Sequence, residues 1–312
     1  MKAGQVTPKE LYDTTELEYE ALNNPDVAHI EVHHNTVVGA HLVPGLDVTA
    51  NETENGVAIV FRVTENSVIE KPVHMCFGML PEKGVQEIQM NVIIEKNARV
   101  SVLAHCTFPN AVEVLHTMDA RITVGENADY AYFERHIHGK TGGVTVVPKA
   151  KVTLEKGARF KTEFELIRGR VGSIDIDYET TCKEWSVMEM NARISGTHND
   201  AIQIRETGHL VGEGARGVLT SRIAVRDSAR AEVHNKLTAT APFARGHVDC
   251  KEIVQDNGVA TAIPIVEVRN PKAHITHEAA IGSVDTRQME TLMSRGLTED
   301  DAVELIIQGL LS

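Results

Sequence analysis

Apolar and polar residues alternate one by one through most of this chain. Ile122-Thr123-Val124, Val152-Thr153-Leu154 and Phe160-Lys161-Thr162-Glu163-Phe164-Glu165-Leu166 show the pattern, and a period of two marks strands whose successive side chains point to opposite faces. Short polar separators interrupt the runs: Glu95-Lys96-Asn97-Ala98, Gly125-Glu126-Asn127-Ala128, Glu155-Lys156-Gly157-Ala158, Gly212-Glu213-Gly214-Ala215 and Arg226-Asp227-Ser228-Ala229. Ala98, Ala128 and Ala158 stand 30 residues apart, whereas Ala215 and Ala229 are 14 apart, so corners recur at whole and half periods. One or two strands and a corner cannot bury both faces alone, and stacking successive units solves that problem. An antiparallel sandwich would favour Asn-Gly or Asp-Gly hairpins, which are rare here, and the six-residue repeat of left-handed acyltransferase helices is absent. The pattern therefore predicts a mainly β protein, a right-handed parallel β-helix over residues 25–283.

The two ends read differently. In a helical segment over 1–24, Thr7 supplies an N-cap, Pro8 the first helical position and Glu10 the capping-box carboxylate, which predicts a short helix to about Asn23. Over 284–312, Asp285 caps a helix with Gln288 three residues on, Met289, Leu292 and Met293 form its apolar face, and Gly296 stops it. Thr298 caps a second helix, with Ala302, Leu305, Ile306 and Leu310 at helical spacing. Such a pair suits plugging the open end of a solenoid, where stacked strands expose an edge.

Composition narrows the function. A formal charge of −13, with Lys and Arg scattered singly and 4% aromatic residues, argues against a nucleic-acid or anionic-membrane surface. The first residues carry no apolar stretch of the signal-peptide kind, and no run approaches the ~18 apolar residues that span a bilayer, so the expected location is cytoplasmic. Gly139-Lys140-Thr141 resembles the end of a phosphate loop, but Glu134 stands where its first glycine belongs, so no nucleotide is expected on this chain. His277-Glu278 opens like a zinc-protease helix, yet Ile281 replaces the second histidine. Gly-x-Ser-x-Gly does not occur. The expectation is a protein that is not an enzyme; the sharpest enzymatic alternative is a β-helix carbohydrate-active enzyme such as a polysaccharide lyase.

Cys76, Cys106, Cys182 and Cys250 are widely separated and form no C-x-x-C pair, which excludes a structural zinc site or a ferredoxin-type cluster by spacing. Buried thiols serving as small hydrophobes are the ordinary reading. Cys250 stands out because His247 precedes it by three and because His277 and Glu278 follow at about one solenoid turn, where adjacent coils can bring them side by side. A thiolate, an imidazole and a carboxylate could there form a weak, mixed ligand set. A weaker candidate is a ladder of His74 and Cys76, His105 and Cys106, and His136 and His138, whose leading histidines are 31 apart. Stacked like residues are ordinary in solenoids, so the bland reading of the ladder is the stronger one.

His247-Val248-Asp249-Cys250, Thr276-His277-Glu278-Ala279-Ala280-Ile281-Gly282 and Ser294-Arg295-Gly296-Leu297-Thr298-Glu299-Asp300-Asp301-Ala302 resemble SufB and SufD, the iron–sulfur cluster assembly scaffolds. With Gln86 to Gln89, Gly169-Arg170-Val171-Gly172 and Ala262-Ile263-Pro264-Ile265, the chain is similar to the short archaeal members along nearly its whole length. The resemblance implies a β-helix core and a scaffold subunit that builds or holds a transient iron–sulfur cluster at a dimer interface. It implies Cys250 as the assembly cysteine and His277 and Glu278 as the family's His-Glu pair; the acidic residue preceding that histidine in SufB is Thr276 here. It also implies three kinds of partner: a SufC-type ABC ATPase on the C-terminal helices, with Met289, Leu292, Leu305 and Ile306 as the contact stripe; a second copy or a SufB/SufD paralogue; and apo iron–sulfur proteins. A SufD-like structural partner that binds no cluster is the alternative within the family.

Overall fold

The computed structural model describes residues 6–15 and 23–311. The alternating segments are strands: β1 (His29–His33), β2 (Thr36–His41), β3 (Leu46–Glu52), β4 (Gly56–Val63), β5 (Val73–Gly78) and β6 (Lys83–Ile94). There follow β7 (Arg99–Phe108), β8 (Glu113–Val124), β9 (Asp129–His138), β10 (Val144–Leu154), β11 (Arg159–Arg168), β12 (Ser173–Cys182) and β13 (Val187–Gly196). The last are β14 (Ala201–Leu210), β15 (Arg216–Val225), β16 (Arg230–Ala239), β17 (Arg245–Val254), β18 (Val259–Val268) and β19 (His274–Gly282). They form a right-handed parallel β-solenoid of two facing sheets. The ten-stranded sheet runs β19-β17-β15-β13-β11-β9-β7-β5-β1-β2 and the nine-stranded sheet β18-β16-β14-β12-β10-β8-β6-β4-β3.

Each coil contributes one strand to each sheet. The step between stacked residues is 30 at Asp129↔Arg159, 29 at Val187↔Arg216 and 28 at Ser173↔Ala201. Every second side chain points into the lumen, where the apolar ones join a continuous core from Ala28 to Cys250. Corners stack as well. Asn66, Asn97, Asn127, Gly157, Trp185, Gly214 and Phe243 occupy the left-handed region in one column, and Asn97 Nδ2 donates to Asn66 Oδ1 at 2.8 Å. The residue after the turn is a fully buried alanine at Ala98, Ala128, Ala158, Ala215 and Ala244, because the chain there dives into the core with room for a methyl group. The separator ending in Ala229 belongs to a second column, with His198, Asp227 and Asp256 at positive φ, which explains the half-period spacing.

The ends depart from the sequence expectation in two ways. Helix α1 (Pro8–Tyr12) has the predicted capping box, but it stops at Tyr12 instead of reaching Asn23. The hydroxyls of Thr14 and Thr15 bond back to the carbonyls of Leu11 and Tyr12 at 2.6 and 2.9 Å, competing with helix continuation; residues 16–22 lie outside the described residues. At the other end, α2 (Thr286–Met293) and α3 (Glu299–Leu311) start at the predicted caps, with Asp285 Oδ1 accepting from the Gln288 N–H and Thr298 Oγ1 from the Asp301 N–H. They do not plug the solenoid. Helix α3 lies along the outside of the ten-stranded sheet, where Val303, Ile307 and Leu311 cover Ala224 and Ile253. Arg193 Nη1 donates to the Leu311 carbonyl at 2.5 Å and Arg226 pairs with Glu304 at 2.8 Å. The landing site exists because alternation fails at Ile223-Ala224-Val225 and at Ile253-Val254, leaving apolar residues on an outer face.

Corner geometry gives a direct test. Gly157 has φ +70°, and a Cβ there would sit 2.4 Å from Asn127 Oδ1, whereas a Cβ at Gly309 in α3 meets nothing within 4 Å. Gly157→Ala is expected to lower stability in urea unfolding by about 1–2 kcal/mol, and Gly309→Ala to raise it by up to about 1 kcal/mol.

Candidate cluster and metal sites

Register decides which candidate side chains meet. The step is 29 from β5 to β7 and 30 from β7 to β9, so residues spaced by 31 drift off one another. Cys76 is in register with His105, and His105 with Arg135, all on the outer face; Cys106 is in register with His136, facing the lumen. The apparent ladder is therefore split between two faces. His105 and Cys106, being adjacent in a strand, cannot share a site. Cys76 is packed under α1 with Leu11 and Tyr12, and burial raises its thiol pKa. Burial, with help from Arg135 and His74, pushes His105 down to about 4.

The inward half of the ladder belongs to a larger group. Glu134, His136 and His138 follow one another on the lumen side of β9, Cys106 sits beside them on β7, and His116 reaches across from β8 in the opposite sheet. All five are buried. Donor atoms of Cys106, His116 and His136 lie within 4.8 Å of one another. Hydrogen bonds and burial together set the protons. His138 Nδ1 lies 3.0 Å from the Arg170 carbonyl and must donate to it, so in the neutral ring its Nε2 accepts from His136 Nδ1 at 3.2 Å. With the His136 ring neutral as well, its Nε2 is the acceptor in the 2.8 Å contact with Glu134 Oε1, and the carboxyl carries the proton. Burial favours this neutral arrangement, pushing His116, His136 and His138 down to about 3 and Glu134 up to about 7. The Gly169–Gly172 loop closes this end, held by Asp200, which accepts from the Val171 and Gly172 N–H groups and from Arg170.

Cys250 has its own polar surroundings. It faces the lumen from β17, in register with Ser221, and Asn235 Nδ2 donates to its sulfur at 3.6 Å. Glu252, two residues on, faces the same way and accepts from Ser221 Oγ at 3.3 Å; burial lifts its carboxyl to about 7 and also raises the Cys250 thiol. Across to β19, Cys250 pairs with Ala279, Val248 with His277 and Asp249 with Glu278. His277 thus shares the lumen-side face of Cys250, one pair along. Glu278 points to the outer face, 3.9 Å from Lys251. His247 also faces outward and bonds Thr276 Oγ1 at 2.8 Å. On β18 and β19 no further strand follows among the described residues, so the lumen-facing Val268 and Ile281 are 47% and 48% exposed.

Residues 80–310 match the family described as SUF system FeS cluster assembly, SufBD core domain. The chain belongs to the SufB/SufD family. It is 36% identical over 282 residues to an iron-sulfur cluster assembly SufBD family protein of Methanocaldococcus jannaschii, covering 90% of this chain and 89% of that one. A SufBD family protein of Pyrococcus horikoshii is 35% identical over 302 residues, covering 97% and 92%. Similarity to the iron-sulfur cluster assembly protein SufB of Bacillus subtilis is 25% over 254 residues, 78% of this chain and 52% of that protein. The matches support a general scaffold role of the SufBD type in iron–sulfur cluster assembly for this chain. No helix among the described residues is long and apolar enough to cross a membrane.

Within the SufBD core, sequence reading missed Glu134 and His116 beside Cys106, and Glu252, Asn235 and Ser221 beside Cys250. Counting by twos from each cysteine would have found Glu252, and from His136 would have found Glu134; His116, Asn235 and Ser221 come from other strands and carry no local signal. The lumen between the two groups holds Tyr178 and Glu206, both buried. Among the described residues Glu206 Oε2 has no hydrogen-bond partner, and burial lifts its carboxyl to about 8. The folded state therefore holds a proton there that the unfolded state releases above about pH 4.5, so stability falls as pH rises from there through about 8. In Glu206→Gln that decline should shrink by an amount on the order of a few kcal/mol, measured as urea unfolding free energies across the window; parallel pH curves for the two proteins would contradict the assignment.

Proposed function

We propose that this SufBD scaffold builds or holds a nascent iron–sulfur cluster, its cargo, at the open C-terminal end of the β-helix, in a dimer with a second copy or a SufB/SufD paralogue. The observation that carries the reading is the last coil. Among the described residues strands β18 and β19 present unpaired edges, and Val268 and Ile281, on the lumen side, are about half exposed. A partner supplying strands to both edges would satisfy the backbone and cover those side chains. Cys250 lies one coil in from that end, on the same face as His277. One thiolate and one imidazole per copy form a sparse ligand set, which suits a product that must leave for apo iron–sulfur proteins in the cytoplasm. Glu252 is the inward carboxylate, whereas Glu278 would reach the cargo only at the outer rim of the edge strand.

The helix pair offers the place for a SufC-type ATPase. Met289 and Ile306 turn toward the cluster that holds α3 on the sheet, while Leu292 and the 48% exposed Leu305 line an open groove with Arg287, Gln288 and Thr291. Since α3 rests on strands β15 and β17, a push on this groove acts on the coil that carries Cys250.

After anaerobic reconstitution, Cys250→Ser should lose iron and sulfide to background while its circular dichroism is unchanged, because serine is a poor soft ligand. Loading equal to wild type would leave the SufD-like structural role standing instead. Glu252→Gln should weaken retention more than Glu278→Ala; the opposite order places the cargo at the strand edge. Leu305→Glu is expected to abolish co-purification with the ATPase with no change in dimer mass by sedimentation, and retained binding at full stoichiometry would remove the helix pair as the docking surface.

A further inference from the structure

We propose that Cys106, His116, His136 and Glu134 form a site for a single divalent transition-metal ion of the zinc or ferrous class, bound across the lumen and separate from the cluster cargo at Cys250. Cys106, His136 and Glu134 come from the ten-stranded sheet and His116 from the nine-stranded one, so the ion would clamp the two walls together. The donor atoms of Cys106, His116 and His136 already lie within 4.8 Å of one another. Metal bonds of about 2.0–2.3 Å in a tetrahedron put donors roughly 3.5 Å apart, a contraction that side-chain rotation supplies.

The donor set selects the ion. One thiolate and two imidazoles exclude hard cations such as magnesium or calcium and suit zinc or ferrous iron. Thiolate and carboxylate together cancel two positive charges, so the loaded site adds no net charge to a dry lumen. Two buried atoms of this group also lack hydrogen-bond partners among the described residues: Glu134 Oε2 and His116 Nδ1, on residues 3% and 2% exposed. Buried polar groups without partners are rare in folded proteins, and a metal would satisfy either. An outer shell is present, since His138 ties His136 to the Arg170 carbonyl and thereby fixes the imidazole's orientation. The site is independent of the proposed cluster position. Five strand steps separate β7 from β17 in the sheet, about 24 Å at the usual strand spacing.

The test uses full-length protein stripped with chelator and titrated anaerobically with cobalt(II), both folded and during refolding, in wild type, Cys106→Ser, His116→Gln and Cys250→Ser. Wild type and Cys250→Ser should each take up one cobalt per chain, with a thiolate-to-cobalt charge-transfer band, the intense visible bands of four-coordinate cobalt and a raised melting temperature. Cys106→Ser should lose the charge-transfer band, and His116→Gln should bind at least about tenfold more weakly. Absence of cobalt uptake by folded wild type under both regimes overturns the proposal, as does a band that survives in Cys106→Ser and vanishes in Cys250→Ser. Should Cys106→Ser fail to fold, His116→Gln, which keeps the thiol, carries the test: unchanged affinity there overturns it equally.

Discussion

The structure depends on one coupling, between the hydrogen-bonded register of stacked parallel strands and the two-residue alternation of side chains along each strand. From β5 and β6 onward each coil lands 28 to 30 residues beyond the last, apart from a register shift at Arg168. A side chain's partner on the next coil is therefore set by register, and its face by parity. An error of one residue in the assumed step moves a candidate ligand from the lumen to solvent, as a step of 31 does for the histidine ladder. The same coupling explains why His277 shares a face with Cys250 while Glu278, its neighbour, does not.

A lumen lined by alternating residues of two sheets is nearly dry, and this protein places ionisable groups inside it. Glu134, Glu206 and Glu252 are held toward the neutral acid and His116, His136 and His138 toward the neutral base, in each case mainly by burial. Burying an uncharged, hydrogen-bonded group costs far less than burying an ion. In that neutral form the chain from Glu134 through His136 and His138 to the Arg170 carbonyl has one donor and one acceptor at every contact. Such groups in an otherwise apolar stack are expensive for stability and chemically versatile, and most of them surround two of the lumen-facing cysteines, Cys106 and Cys250.

The two ends of the solenoid are treated differently. At the start, β2 and β3 fold back antiparallel on β1 and β4, while α1 covers the outer face near Cys76. At the finish, the helices that could have covered the last coil are drawn aside by the apolar patch of Ala224 and Ile253. That leaves one end open beside Cys250 and puts the helical groove on the flank of the same coils. Assembly surface, candidate cargo site and candidate ATPase contact thus share the last three coils, and the Cys106 group sits deep in the stack away from all three.

Alternation, corner spacing and helix caps were legible in the chain because each is a local property: the strands, the period near 30, the buried corner alanines, and the starts of α1, α2 and α3 all follow from a few adjacent residues. The family was legible too, from short motifs at Cys250, at Thr276 to Gly282 and in the terminal helices. The early end of α1, the resting place of the terminal helices, the splitting of the ladder, and the union of His116 with Cys106 were not. Those depend on coil lengths that vary by a residue or two and on contacts between strands remote in sequence. Parity magnifies such small differences into opposite faces, so only the assembled stack decides which side chains meet.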